Sequence, residues 1–298
     1  MKLGYIGLGK MGLNMVLRLH EKGHEVLAWN RSAGPRDEAR KQGVMTYDDV
    51  ELMIKDLPRP RTVWVMVLDD ATEDMIATIS SLLGEGDTVI DGGNSFYRDT
   101  VSRSIMLREM GINFLDAGVS GGPRGAREGA CVMVGGDKDV FNNHKKLFED
   151  VSAHQALAYV GDAGAGHFVK MVHNGIEYGM MQAIAEGFTL LEKSDYDLDI
   201  VKIADLYNHG SVIESRLIGW LKDGFQKYGK NLDKISGVVA HTGEGKWTVD
   251  AAEKLEVEVP VIKRSFEFRI ASADKPSFTG KLLSVLRNQF GGHDVKNK

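Results

Sequence analysis

The feature that most narrows the fold lies at the start of the chain. There the β-forming run 3–6 leads straight into Gly7-Leu8-Gly9-Lys10-Met11-Gly12, followed by the helical pattern of Met15, Val16 and Leu19. Between a strand and a helix, G-x-G-x-x-G is the fingerprint of a dinucleotide site. Gly7 permits the tight turn, Gly9 lets the backbone approach a pyrophosphate, and Gly12 lets the helix pack close to the sheet. The helix start then turns free N–H groups and a positive dipole end toward the phosphates.

The alternation continues to about Tyr159. Further β-rich runs at 25–29, 62–67, 88–90, 113–115, 130–134 and 156–159 are separated by helical patterns, which implies βαβ units and a mainly parallel sheet. After Gly164 the periods are helical, apart from the ambiguous run 257–262. The expected architecture is an α/β Rossmann-type dinucleotide-binding domain over residues 1–163, followed by an all-α helical domain over 164–298. The glycine-rich stretch from Gly161 to Gly166 marks the boundary and leads into the helix that opens the second domain, where ligand clefts tend to form. The polar, Gly-rich tail 288–298 reads as a frayed terminus.

The second run ends in Asn30-Arg31-Ser32, about where the acidic residue that reads the ribose of NAD is expected, and no acid stands there. Arg31 can stack on adenine and pair with a 2′-phosphate, and Asn30 and Ser32 can donate to the same oxygens. Asp37 and Glu38 lie beyond Pro35 and belong to the next helix. The expected cofactor is NADP, with NAD as runner-up.

A net charge of -5 argues against a nucleic-acid surface, so the expected partner is a small molecule. The single cysteine, Cys131, rules out an internal disulfide and gives no metal-ligand spacing, and its apolar run reads as core. No apolar run approaches membrane-spanning length, and a fingerprint beginning at Gly7 leaves no room for a secretory signal. We therefore expect a cytoplasmic location with no metal and no membrane partner.

Lys170, His173, Asn174 and Glu177 stand at spacings of three, four and seven, which on a helix puts them on one face. The apolar run around them continues through Met180, Met181, Ala183, Ile184, Ala185, Phe188, Leu190 and Leu191, a composition that belongs in a protein interior. Lys and Glu are seldom left there without a partner. They form either a structural ion pair, with His173 and Asn174 as satisfied core polars, or a catalytic set.

Taken together the motifs resemble those of the 6-phosphogluconate dehydrogenases. The resemblance is carried, in order, by Gly7 to Gly12, Asn30-Arg31-Ser32, Asp91-Gly92-Gly93-Asn94-Ser95, Val119-Ser120-Gly121-Gly122, Lys170 to Tyr178, Gly245-Lys246-Trp247-Thr248, and Arg287 to His293. At 298 residues the chain is similar to the short form of that family, within the wider β-hydroxyacid dehydrogenases.

The resemblance implies oxidative decarboxylation of 6-phosphogluconate to ribulose 5-phosphate and CO2 with reduction of NADP, a step of the pentose phosphate pathway. It makes Lys170 the base that takes the hydroxyl proton and Glu177 the acid that protonates C1 of the enediol. It assigns Asn94, Ser120, Gly121, Gly122, His173 and Asn174 to the sugar acid's hydroxyls and carboxylate. Tyr178, Lys246, Thr248, Arg269 and Arg287 match its positions for the phosphate, and His293 reaches the substrate from the tail. Cofactor contacts fall to Gly7, Leu8, Gly9, Lys10, Met11, Gly12, Asn30, Arg31, Ser32, Val67 and Asn94. In long members the tail enters the neighbouring subunit's active site, so a functional tail implies a homodimer or homotetramer built on the second domain.

Two departures stand out. Pro123-Arg124 follows Gly122 where the family continues with acidic residues, and the short helical domain removes internal support for the tail. Two rival readings remain. A 3-hydroxyisobutyrate- or tartronate-semialdehyde-type dehydrogenase is opposed by Glu177, Lys246, Arg287 and His293, and a non-catalytic NADP-binding protein is opposed by the intact Lys170 and Glu177.

Overall fold

The β-rich runs of the first half assemble into one sheet. In the computed structural model, which describes residues 1–241, 243–293 and 295, the strands are β1 (Lys2–Ile6), β2 (Glu25–Trp29), β3 (Met45–Tyr47), β4 (Thr62–Val65), β5 (Thr88–Asp91), β6 (Asn113–Ser120), β7 (Ala130–Gly136) and β8 (Ser152–Gly161). Their order is β3-β2-β1-β4-β5-β6-β7-β8, and every neighbouring pair is parallel except β6 with β7. Between the strands run α1 (Lys10–Glu21), α2 (Ala33–Lys41), α3 (Val50–Lys55), α4 (Asp69–Ser80), α5 (Tyr97–Glu109), α6 (Gly122–Glu128) and α7 (Lys138–Val151).

The central strands are buried on both faces, as parallel strands covered by crossover helices must be. Leu3, Tyr5 and Trp64 pack with Met15, Val16 and Leu19 of α1 on one face. Ile6, Val63, Val65 and Val89 pack with Ile76, Ile79 and Leu107 on the other. Each such side chain contributes about 1.5–3 kcal/mol of burial. The strand order reverses at β1, whose neighbours are β2 and β4, and ligands of open α/β sheets bind outside the strand ends at such a point. Gly7 follows directly.

Three details of this unit differ from the expectations. β3 went unforeseen because it is a three-residue edge strand with no fully buried position. β6 and β8 outrun their apolar cores, since the ladders they form with β7 do not need apolar residues throughout. Cys131 is exposed rather than core: it is the second residue of β7, opposite Ser120, the last residue of β6, at the rim of the ladder.

The chain divides into two compact units, Met1–Lys170 and Met171–Lys298, and the division falls inside the 29-residue α8 (Ala165–Lys193). The second unit continues with α9 (Ile200–Tyr207), α10 (Arg216–Tyr228), α11 (Glu244–Lys254), α12 (Pro260–Ala271) and α13 (Phe278–Gly291). Side chains of Asp199, Ser215 and Ser277 accept N–H groups at the starts of α9, α10 and α13, a cap worth about 1 kcal/mol each. The core gathers Met181, Ala185 and Phe188 of α8 with Ile218, Leu221 and Phe225 of α10 and Leu282, Leu283 and Leu286 of α13.

The ambiguous run 257–262 contains no strand. Pro260 opens α12, where its missing N–H and fixed φ suit a first turn. The interior expected for the apolar run of α8 holds on one stripe only: Met180, Ala183 and Leu190 are exposed. The tail is helical to Gly291 and closes on Gly292 in the left-handed region. Residues 294 and 296–298 of the expected frayed end lie outside the described residues. Among the described residues, no helix is long and apolar enough to cross a membrane.

Candidate active site

The first unit builds the dinucleotide turn largely from backbone. Gly7 has φ +102, and a Cβ there would collide with the Met66 carbonyl; a Cβ on Gly12 would collide with the carbonyl of Gly7. Gly9 has nothing within 4 Å of where a Cβ would sit, the open position that a pyrophosphate needs. α1 has no capping side chain and no acidic residue in its first turn, so its positive end is left for an anion. Lys10 and Met11 begin that helix, Leu8 is buried beneath it, and Val67 lies against Gly7. These residues fit a dinucleotide.

At the end of β2, Asn30 anchors the turn. Its Oδ1 accepts the Leu8 N–H at 2.9 Å, and its Nδ2 donates to the Ser32 carbonyl at 3.2 Å. Arg31 and Ser32 stand exposed beside it. A second arginine braces them from α2: Arg36 donates to the Asn30 carbonyl at 2.5 Å and pairs with Asp48 at 2.9 Å.

Asn94 is exposed in a turn organised by buried Asp91, whose carboxylate accepts Gly93 N–H at 3.1 Å and the Ser95 hydroxyl at 3.0 Å. Arg103 balances that carboxylate at 3.4 Å. Ser120 ends β6, and Gly121 and Gly122, at φ +131 and +64, turn the chain into α6. Arg124 has its charge answered by Glu128 at 2.9 Å.

Lys170 is seated by glycines. A Cβ on Gly118 of β6 would lie 2.5 Å from Lys170 Cβ and 2.7 Å from the Gly166 carbonyl; one on Gly166 would lie 2.6 Å from the Met133 carbonyl; one on Gly135 would lie 2.8 Å from Gly166 N. Residues 166–170 at the start of α8 therefore lie directly on the β6–β7 pair. The buried Asp116 carboxylate accepts Gly164 N–H at 2.7 Å and His167 N–H at 2.8 Å, holding the first turn. Burial pushes its pKa up, while His167 and the two N–H groups oppose the rise. Sequence reasoning missed Asp116, Gly118 and Gly135; glycines inside strands were the available signal, since they mark close backbone approach.

In the second unit, Glu177 lies one turn beyond His173, with 3.9 Å between Oε2 and Nδ1, and His173 Nδ1 is 3.1 Å from Asn174 Oδ1. Tyr178 is buried, and its ring lies under the Arg269 guanidinium at 3.3 Å from the centroid. Gly245 of α11 rests against the same ring, since a Cβ there would meet Cε2 at 2.5 Å. The Thr248 hydroxyl is 2.9 Å from the Met171 carbonyl and 2.8 Å from that of Glu244, and Thr248 packs on Gly175 of α8.

Arg269, an arginine that alone reads as solvated surface, is 2% exposed, and Arg287 is 6% exposed. Burial pushes the pKa of Arg269 down to about 10; Arg287 adds to the fall, and Tyr178, Glu177 and Glu244 oppose it. Burial lowers Arg287 as well. Tyr178 and Arg269 thus form one buried cationic wall, with Arg287 close enough to act on Arg269 through its charge.

Two expected members also have partners outside this group: Lys246 pairs with Asp250 at 2.7 Å on the exposed side of α11, and His293 lies against Phe290 at the end of α13. Buried Glu244, which sequence reasoning did not single out, stands in the first turn of α11. Among the described residues there is no group of His, Cys, Asp or Glu that could hold a metal ion.

Comparison with known proteins gives this geometry a lineage. Residues 2–161 match the family model for the NAD binding domain of 6-phosphogluconate dehydrogenase, and residues 166–281 match that for its C-terminal domain. The chain belongs to the 6-phosphogluconate dehydrogenase family. It is 38% identical over 300 residues to the NAD(+)-dependent, decarboxylating 6-phosphogluconate dehydrogenase of Haloferax volcanii, covering 100% of this chain and 99% of that protein. It is also 38% identical to the NADP(+)-dependent, decarboxylating enzyme of Bacillus subtilis, covering 92% of this chain but 62% of that one. The 6-phosphogluconate dehydrogenase of Plasmodium falciparum, solved alone, with NADP+ and with 6-phosphogluconate, superposes with a TM-score of 0.82 at 30% identity, over 92% of this chain and 62% of that one. The chain thus spans the full length of a short relative and about 62% of the long ones. It is an oxidoreductase of this family that takes a nicotinamide dinucleotide.

Proposed function

We propose that the protein oxidatively decarboxylates 6-phosphogluconate to ribulose 5-phosphate and CO2, with NADP as the preferred acceptor and NAD as the runner-up. The observation that carries the reading is α8 itself: Lys170, His173, Asn174 and Glu177 run along one face of a single helix, and the next residue, Tyr178, opens the wall formed with Arg269 and Arg287. On this reading residues 1–163 bind the cofactor, residues 164–298 bind the substrate and assemble a homodimer or homotetramer, and the enzyme works in the cytoplasm.

The bound nicotinamide supplies the hydride acceptor. Neutral Lys170 takes the proton of the C3 hydroxyl as hydride leaves that carbon, giving a β-keto acid. The protonated Lys170 then donates to the C3 carbonyl oxygen, which receives the electron pair released as the carboxylate leaves as CO2. Glu177 delivers a proton to C1 of the resulting enediol while Lys170 takes back the proton it gave to the neighbouring oxygen, which leaves ribulose 5-phosphate as the ketone. The order needs a base and an acid at different points of the substrate, and seven helical residues separate the two by about 10 Å along the axis.

Asn94, Ser120 to Gly122, His173 and Asn174 orient the hydroxyls and carboxylate. Tyr178, Thr248, Arg269 and Arg287 hold the phosphate, with Lys246 and His293 completing the set. Arginine forks match phosphate geometry bidentately, which favours the phosphorylated acid. Arg31 without a neighbouring acid at the end of β2 favours the 2′-phosphate of NADP.

Lys170→Met is expected to abolish reduced-nicotinamide formation, and Glu177→Gln to slow release of ribulose 5-phosphate more than hydride transfer in single-turnover measurements. Near-normal turnover in both variants would overturn the mechanism.

A further inference from the structure

The phosphate wall contains its own counter-ion. Arg269 and Arg287 are both more than nine-tenths buried, and a buried cation demands an anion whether or not substrate is present. Two carboxylates act on both guanidiniums: Glu177 from α8 and Glu244 from α11. Geometry independently places the main chain at Glu244 against the wall. It is 6% exposed, its carbonyl oxygen is 2.8 Å from the Thr248 hydroxyl, and its neighbour Gly245 is pressed on the Tyr178 ring whose face is covered by Arg269. The Tyr178 hydroxyl is buried without a hydrogen-bond partner among the described residues, so the wall also holds an open polar group that an incoming ligand can satisfy.

The charge count makes the consequence specific. Two arginines against two carboxylates leave the wall neutral, and a phosphate dianion gains little from a neutral wall unless one carboxylate gives way. Glu177 serves the C1 proton transfer in the proposed reaction, so the residue left to yield is Glu244. We propose that Glu244 is a specificity-determining residue, a resident carboxylate that holds the Arg269–Arg287 pair while the subsite is empty and is displaced by the phosphate of the substrate. It sets how strongly phosphorylated sugar acids are preferred over free ones, and it trades phosphate affinity for stability of the empty protein.

This inference rests on the proposed phosphate subsite, and the test separates the two. The full-length protein and its Glu244→Gln variant are titrated with inorganic phosphate by thermal shift, and KM is measured for 6-phosphogluconate and for gluconate. In the variant the ligand-free melting temperature falls. Phosphate then binds about tenfold more tightly, and the KM ratio of gluconate to 6-phosphogluconate widens by about tenfold. Glu244→Asp keeps the charge at shorter reach and is expected to retain phosphate affinity within about threefold of the parent, which distinguishes loss of charge from loss of packing. A Glu244→Gln protein that binds phosphate no better than the parent, while the parent turns over 6-phosphogluconate, overturns the role of Glu244 alone. A parent that neither responds to phosphate nor discriminates between the two sugar acids overturns the subsite and the role together.

Discussion

Replacing Arg269 by Met removes a buried charge while nearly conserving volume. Holding the guanidinium pKa down at about 10, well below its ordinary value, costs the folded state about 3 kcal/mol, at about 1.4 kcal/mol for each tenfold change in proton affinity. Contact with the Tyr178 face at 3.3 Å returns about 1–2 kcal/mol, and Met keeps an S–aromatic contact of its own. Loss of the charge also leaves Glu177 and Glu244 to Arg287 alone, which offsets most of that gain, so Arg269→Met is expected to change stability by less than about 1 kcal/mol at pH 7. The folded pKa lies below the unfolded one, so by linkage the penalty is fully present below pH about 10 and is relieved as pH rises above that. On the proposed function the same variant would lose a charged hydrogen-bond donor to phosphate, worth about 1.5–3 kcal/mol, so KM for 6-phosphogluconate should rise about 10- to 100-fold. Urea unfolding without phosphate and steady-state kinetics read the two effects. A variant destabilised by more than about 1 kcal/mol would mean that Arg269 is held by attraction that outweighs its burial, and the reasoning would fail.

Two more substitutions test the other parts of the site. Gly118→Ala places a methyl 2.5 Å from Lys170 Cβ and forces about 1 Å of separation between β6 and α8; kcat should fall about 100-fold with a stability loss of about 1–3 kcal/mol, read by single-turnover absorbance and thermal melting. Arg31→Ala should raise KM for NADP about 10- to 100-fold and that for NAD less than threefold, and equal effects on both cofactors would remove Arg31 from the 2′-phosphate.

What could be read from the sequence follows what local chemistry announces. Gly7, Gly9 and Gly12 announced the turn because strand, glycine spacing and helix are all local signals, and the alternation of runs announced a parallel sheet. β3 stayed hidden because three residues at an edge carry no burial pattern. Cys131 misled because apolar neighbours indicate burial only in the middle of a strand, and this residue lies at the rim. Arg269 could not be told from a surface arginine, since its burial arises from Tyr178, 91 positions away in the sequence. Asp116 and Glu244 were invisible for a related reason: one holds the first turn of a helix reached 48 residues later, and the other acts on arginines of two later helices. The family resemblance pointed to candidate site residues that no spacing could have suggested.

The seat of Lys170 has a bearing on how this active site can change. Its Cβ is located by main-chain atoms of β6, β7 and the first turn of α8, fixed through Gly118, Gly135, Gly166 and the Asp116 carboxylate. None of these positions belongs to the wall built from Tyr178, Thr248, Arg269 and Arg287. Residues of that wall are therefore open to exchange, by natural drift or by directed evolution, while Lys170 keeps its place. The glycines themselves are not: each admits no larger residue unless a neighbouring backbone moves, so they should tolerate the fewest replacements in a saturation library.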